Sequence, residues 1–219
     1  MKRIQHICTL LEQAYGRPEC KPVRKTLDEL IFTILSQNTT RANYEKAYGN
    51  LRRQFRTWED VSRANTQEIA REIRVGGLAD IKAERIKNVL NGIRSLRGKL
   101  DLDFLAEMPD HEALEFLLQF EGVGSKTASC VLMFSLCRPV FPVDTHVHRV
   151  SQRLGLINAS VNAEAAHEIL GKMIPDEMVY SLHVNLVTHG RRICKARNPS
   201  CEICVLLKTC PYGQSLIKR

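Results

Sequence analysis

No stretch of this chain approaches the ~20 consecutive apolar residues of a membrane-spanning helix, so a helical membrane protein is not expected. Alternating β-type runs, long linkers and internal repeats are also missing, which leaves an all-α reading of the chain. The N-terminal segment MKRIQHICTLLEQAYGRPEC is basic, but polar residues interrupt any apolar core, so no signal peptide is read there. With no secretion signal, eight cysteines point to reduced thiols or a metal centre rather than disulfides.

What is present fits an ordinary globular chain. Its 219 residues are enough for one large or two small domains, with 44% hydrophobic and 26% charged residues. The net charge of +8 and pI near 9.2 favour a polyanionic partner, nucleic acid before a membrane surface. Solvated helix faces would give the same balance, so charge alone does not decide.

Apolar positions Ile4, Ile7, Cys8 and Leu11 predict a short amphipathic helix, and Pro18 and Pro22 make 16–25 a connector. Leu27, Leu30, Ile31, Ile34 and Leu35 predict a second helix with Thr26 as its cap, ending at the polar cluster Ser36–Thr40. Short helices follow, with caps near Thr57 and Asn65-Thr66 and with Trp58 as core packing. Gly76-Gly77-Leu78 interrupts the pattern before a basic amphipathic helix over Ile81–Leu96, where Lys82 and Arg85 read as phosphate contacts or a solvated face. Further helices are expected near 112–119, 125–136, 145–154, 162–173 and 177–190, roughly ten in all.

The most informative stretch is 120–149. Gly122-Val123-Gly124 leads straight into the helix-compatible run Ser125–Leu136, and a helix N-terminus behind small residues offers free N–H groups to a phosphate. Lys126 stands in that first turn, where a cation opposes the helix dipole, so folding does not explain it. Asp144 follows eighteen residues later, at the start of another helix. Taken singly, Asp144 reads as an N-cap and Lys126 as a surface residue. Near the end, Cys194, Cys201, Cys204 and Cys210 stand in C-x6-C-x2-C-x5-C spacing. Four such thiolates suit zinc or an iron–sulfur cluster; structural zinc sites usually pair two short knuckles, and only one is present. His146 and His148 lack a convincing metal spacing; Cys8 and Cys20 read as core or surface thiols, and Cys130 and Cys137, one heptad apart, as apolar filler on the helix after the glycine turn.

EGVGSKTASCVL and VDTHVHR, at that separation, resemble the motifs of the endonuclease III family, the iron–sulfur branch of the helix-hairpin-helix DNA glycosylases. The resemblance runs from about residue 25 to the C-terminal cysteines. It implies a two-lobed all-α fold, with residues 23–137 forming one lobe and 1–22 with 138–219 the other. It implies Lys126 as nucleophile, Asp144 as its carboxylate partner, and a [4Fe–4S] cluster on the four cysteines in the 194–210 loop. It implies DNA contacts at Gly122, Val123, Gly124 and Ser125, at Gln37 or Asn38, at the wedge Leu78, at His146, and at Lys195 and Arg197. The loop SQNTTR departs from the family's usual SAQATD, which opens substrate choice: the family's glutamine falls opposite Asn38. The implied activity is base-excision repair of oxidised or ring-saturated pyrimidines in double-stranded DNA, with strand nicking at the abasic site. The retained lysine and the lack of an extra C-terminal domain set the chain apart from monofunctional adenine glycosylases. Uracil or mismatched thymine is the alternative substrate, and a silent iron–sulfur DNA-binding module the alternative class. The expected state is a cytoplasmic monomer, nucleoid-associated in a prokaryote, with no membrane partner.

Overall fold

The computed structural model describes residues 2–217. Twelve α-helices are found among them and no strand. In chain order they are α1 (Lys2–Tyr15), α2 (Thr26–Leu35), α3 (Arg41–Gln54), α4 (Trp58–Arg63), α5 (Thr66–Ile73), α6 (Ala79–Arg97), α7 (Asp110–Leu118), α8 (Ser125–Leu136), α9 (Thr145–Arg153), α10 (Ala163–Met173), α11 (Asp176–Arg192) and α12 (Pro211–Ile217). Short 3-10 turns join several of them. Among the described residues, no helix is long and apolar enough to cross a membrane.

The chain divides into two compact units. One runs from Pro22 to Leu136; the other comprises the residues up to Lys21 and those from Cys137 onward.

The unit from Pro22 to Leu136 is built around α2. Leu27, Leu30, Ile31, Ile34 and Leu35 are fully or almost fully buried, and the helix packs on α8, α3 and α6. Local chemistry sets the starts of its smaller helices. Thr57 and Asp60, then Asn65 and Glu68, form reciprocal capping boxes that satisfy the first amides of α4 and α5. Gly98, at φ +73, closes α6 by donating its N–H to Arg94 O. Lys25, not Thr26, occupies the cap position of α2, and its side chain makes no cap bond.

In the other unit, Ile4, Ile7, Cys8 and Leu11 of α1 are buried, and α1 and α9 both pack on α11. Asn162 caps α10 through a bond from Ala165 N. Two expectations about cysteines fail here. Cys20 and Cys137 are not separate thiols but form a disulfide, their Cα atoms 5.7 Å apart and 117 residues apart in sequence. A separation of that length carries no pairing signal; only the fold brings the two Cα atoms within bridging range. The bridge joins the points where the chain leaves this unit and returns to it.

Candidate functional site

In the unit from Pro22 to Leu136, α7 and α8 flank the glycine turn. Gly122 has φ +83, a left-handed backbone that favours glycine. A Cβ there would lie 2.6 Å from Arg85 Cδ, so the Arg85 side chain fills the place of a side chain at 122. Val123 is buried and anchors the turn, its N–H donating to Phe120 O at 3.0 Å. A Cβ on Gly124 would meet nothing within 4 Å, so the turn is open beside the first amides of α8. Ser125 begins α8 and Lys126 follows, partly exposed.

The structure separates Gln37 from Asn38. Gln37 Nε2 donates to Gly122 O at 3.2 Å and Thr127 Oγ1 at 3.3 Å, while its Oε1 accepts from Arg85 Nη1 at 2.9 Å. Gln37 is therefore tied into the hairpin. Asn38 is exposed and holds φ +53. Leu78 is also left-handed, at φ +50, and half of its surface is open to solvent. A left-handed backbone costs a non-glycine residue about 1–2 kcal/mol, and an exposed leucine recovers little of it.

Lys82 overturns its own sequence reading. It is neither a phosphate contact nor part of a solvated face, but 1% exposed, with Nζ donating to Leu35 O and Gly76 O at 2.8 Å each. Burial holds its ammonium below the ordinary lysine value, and Arg85 adds to the effect. Its burial depends on carbonyls from two other segments, which periodicity along one helix does not reveal.

Glu29 was not singled out from the sequence. It is 5% exposed on α2 and ion-paired to Arg24 at 3.1 Å. Burial pushes its carboxyl up, opposed by Arg24 and, further down, by Lys126. The available signal was the pair Glu29 and Thr33, four residues apart among the apolar positions of α2.

In the other unit Asp144 is the N-cap of α9. Its Oδ1 accepts from His146 N at 2.9 Å and Val147 N at 2.7 Å, which leaves Oδ2 outside the cap. Arg149 meets His146 Nδ1 through Nη2 at 3.1 Å and donates from Nε to Cys194 O at 3.0 Å. Burial holds the His146 imidazole below its ordinary value, Asp144 pulls it up, and Arg149 and Arg191 push it down. A Cβ on Gly190 would lie 2.9 Å from His146 Cβ, so that glycine lets α11 approach α9. Lys195 and Arg197 are exposed, and Arg153 Nη1 fixes the loop between them by donating to Lys195 O at 2.7 Å.

Cys194, Cys201, Cys204 and Cys210 line one cavity with His189 and Arg153. Arg153 Nη1 donates to Cys194 Sγ at 3.3 Å, and Gly213 N donates to Cys210 Sγ at 3.3 Å. Any Cβ on Gly213 would stand 3.6 Å from Cys210 Sγ and 3.7 Å from Cys201 Sγ. Burial, reinforced by the neighbouring sulfurs, raises the thiols of Cys201, Cys204 (to about 11) and Cys210. Among the described residues, no three His, Cys, Asp or Glu side chains are gathered as ligands of a single metal ion.

Residues 31–176 match the model of the HhH-GPD superfamily of base excision DNA repair proteins. The chain belongs to that superfamily, and within it to the endonuclease III family. It is 37% identical to the endonuclease III of Thermotoga maritima, over 84% of this chain and 81% of that protein. It is 41% identical to a candidate DNA glycosylase of Arabidopsis thaliana over 85% of this chain, and spans 62% of that protein's length. A solved endonuclease III–DNA covalent intermediate superposes with a TM-score of 0.85 at 29% identity, covering 99% of this chain and 98% of the other. The all-α fold expected from the motifs is thus that of endonuclease III, a family of DNA glycosylases.

Proposed function

We propose that this chain is a bifunctional DNA glycosylase and abasic-site lyase acting on oxidised or ring-saturated pyrimidines in duplex DNA. The observation that carries the reading is Lys126: an amine in the first turn of α8, beside an open glycine turn that Arg85 and Gln37 brace from behind. The resemblance to a trapped endonuclease III–DNA covalent intermediate supports a covalent route.

A stacked base shields its glycosidic bond, so the damaged nucleotide must be extruded. The amides of 122–125 bind the backbone phosphate, with Lys195, Arg197 and His146 adding contacts. Asn38 enters the space vacated by the base, because Gln37 is already committed to the hairpin. Leu78 wedges the neighbouring step. Neutral Lys126 attacks the sugar C1′, the C1′–base bond breaks, and the base leaves with a proton. Asp144 stabilises the positive charge that develops on the sugar, using the oxygen outside its cap. The C1′–O4′ bond then breaks, opening the sugar and leaving the C1′=N Schiff base. Loss of a C2′ proton drives β-elimination, in which the C3′–O bond breaks and the 3′ phosphate departs, cleaving the strand 3′ to the abasic sugar.

The four cysteines would hold a [4Fe–4S] cluster. The donor set fits it: four thiols around one cavity, N–H groups directed at two sulfurs, and a glycine where a side chain would crowd them. When bound, it supplies structural order to the loop that carries Lys195 and Arg197.

Borohydride trapping on duplexes containing thymine glycol, uracil opposite guanine, mismatched thymine or a plain abasic site tests the reading. The expected result is a trapped adduct with thymine glycol, lost in Lys126→Gln while DNA binding persists. Adducts on uracil or mismatched thymine alone would change the substrate; no adduct even at the abasic site would remove the lyase activity.

A further inference from the structure

Lys82 is a buried cation held by two main-chain carbonyls and no carboxylate bond, an arrangement that folding alone disfavours against an apolar residue of similar size. Its two acceptors are not neighbours in sequence. Leu35 O is the last carbonyl of α2, three residues before Asn38; Gly76 O lies two residues before Leu78. Each segment thus rooted on Lys82 carries an exposed residue in the left-handed region: Asn38 at φ +53 and Leu78 at φ +50. One turn along α6, Arg85 extends the same support by donating to Gln37 Oε1 at 2.9 Å and filling the space beside Gly122.

We propose that Lys82 is a positioning residue that joins the 36–40 segment and the 76–78 turn, so that Asn38 and Leu78 enter the duplex as one wedge. The inference rests on the glycosylase reading above and adds to it how the lesion is gripped. It also sets Lys82 apart from the phosphate contacts: its charge is spent on carbonyls inside the protein and is not offered to DNA.

The test compares wild type with Lys82→Met on two duplexes of one sequence, one undamaged and one carrying a tetrahydrofuran abasic analogue beside 2-aminopurine. The expected result is a loss of about tenfold in preference for the abasic duplex, with a smaller 2-aminopurine signal. Affinity for undamaged DNA and its salt dependence are expected to stay unchanged. Equal loss on both duplexes with a shallower salt slope would make Lys82 a phosphate contact and overturn the proposal. So would an unchanged preference accompanied only by a lower unfolding midpoint. Wild type with no preference for the abasic duplex would instead overturn the glycosylase reading, and this proposal with it. If Lys82→Met does not fold, Asn38→Ala and Leu78→Ala, singly and together in the wild-type background, decide. A joined wedge predicts that the double variant loses little more preference than either single one, and plain additivity would overturn it.

Discussion

The Arg85 side chain occupies the space that a side chain on Gly122 would need: a Cβ at 122 would stand 2.6 Å from Arg85 Cδ. The same arginine holds Gln37, whose amide bonds back to the Gly122 carbonyl. The two glycines of the hairpin therefore do different work. Gly122→Ala is expected to destabilise the protein by about 1–2 kcal/mol from the left-handed backbone alone, and further by displacing Arg85. Gly124→Ala meets open space and is expected to change stability by less than about 0.5 kcal/mol, yet to weaken DNA binding if the hairpin grips a phosphate as proposed. Urea unfolding and duplex affinity on both variants check the contrast.

Two substitutions separate the cap bonds of Asp144 from the charge-stabilising role proposed for it. Asparagine can still accept the His146 and Val147 amides, so Asp144→Asn is expected to fold normally while base release slows far more than binding. Asp144→Ala loses the cap as well and is expected to cost about 1 kcal/mol of stability. Single-turnover base release beside thermal unfolding distinguishes the two. Wild-type activity in Asp144→Asn would reduce the residue to a cap.

His146 gives the stability a pH dependence of definite sign. Burial lowers its folded-state value below the ordinary one, so the unfolded chain takes up a proton that the native chain resists. Stability is therefore complete above about pH 6.5 and declines as pH falls below it. His189, which burial holds at about 4, contributes to the same decline. His146→Gln is expected to flatten the slope between about pH 6.5 and 5 without abolishing it, as read from unfolding midpoints. An unchanged slope would show that His146 is protonated equally in both states.

The cysteine loop is tested by analysis of metal content. Anaerobically purified protein is expected to carry iron and acid-labile sulfide in equal amounts, both diminished in Cys204→Ser. Its unfolding midpoint should fall with them, because a centre bound only by the folded chain stabilises that chain. Zinc in place of iron would overturn the cluster assignment.

The sequence made some of this legible and hid the rest for identifiable reasons. Local signals carried through: Thr57 and Asn65 cap the helices they precede, and the run from Ser125 to Leu136 is one helix. Asp144 reads as a cap from its position, and the hydrogen bonds agree. Contacts between distant segments stayed hidden. Lys82 lies on a helix rich in basic residues, and only the carbonyls of Leu35 and Gly76 make its place an interior one. Gln37 and Asn38 look equivalent as neighbours in a polar loop; the partners 85 to 90 residues away on the hairpin and α8 tell them apart. Cys20 and Cys137 carried no pairing signal at all.

That disulfide has a consequence for biosynthesis. Synthesis at roughly 5–20 residues per second separates the emergence of Cys20 from that of Cys137 by something on the order of ten seconds, given the 117 residues between them. During that interval the whole segment from Pro22 to Leu136 leaves the ribosome, while α1 still waits for its partner α11. The inserted unit is thus free to fold first, as a loop with unjoined ends, and the bridge can close only after translation has passed it.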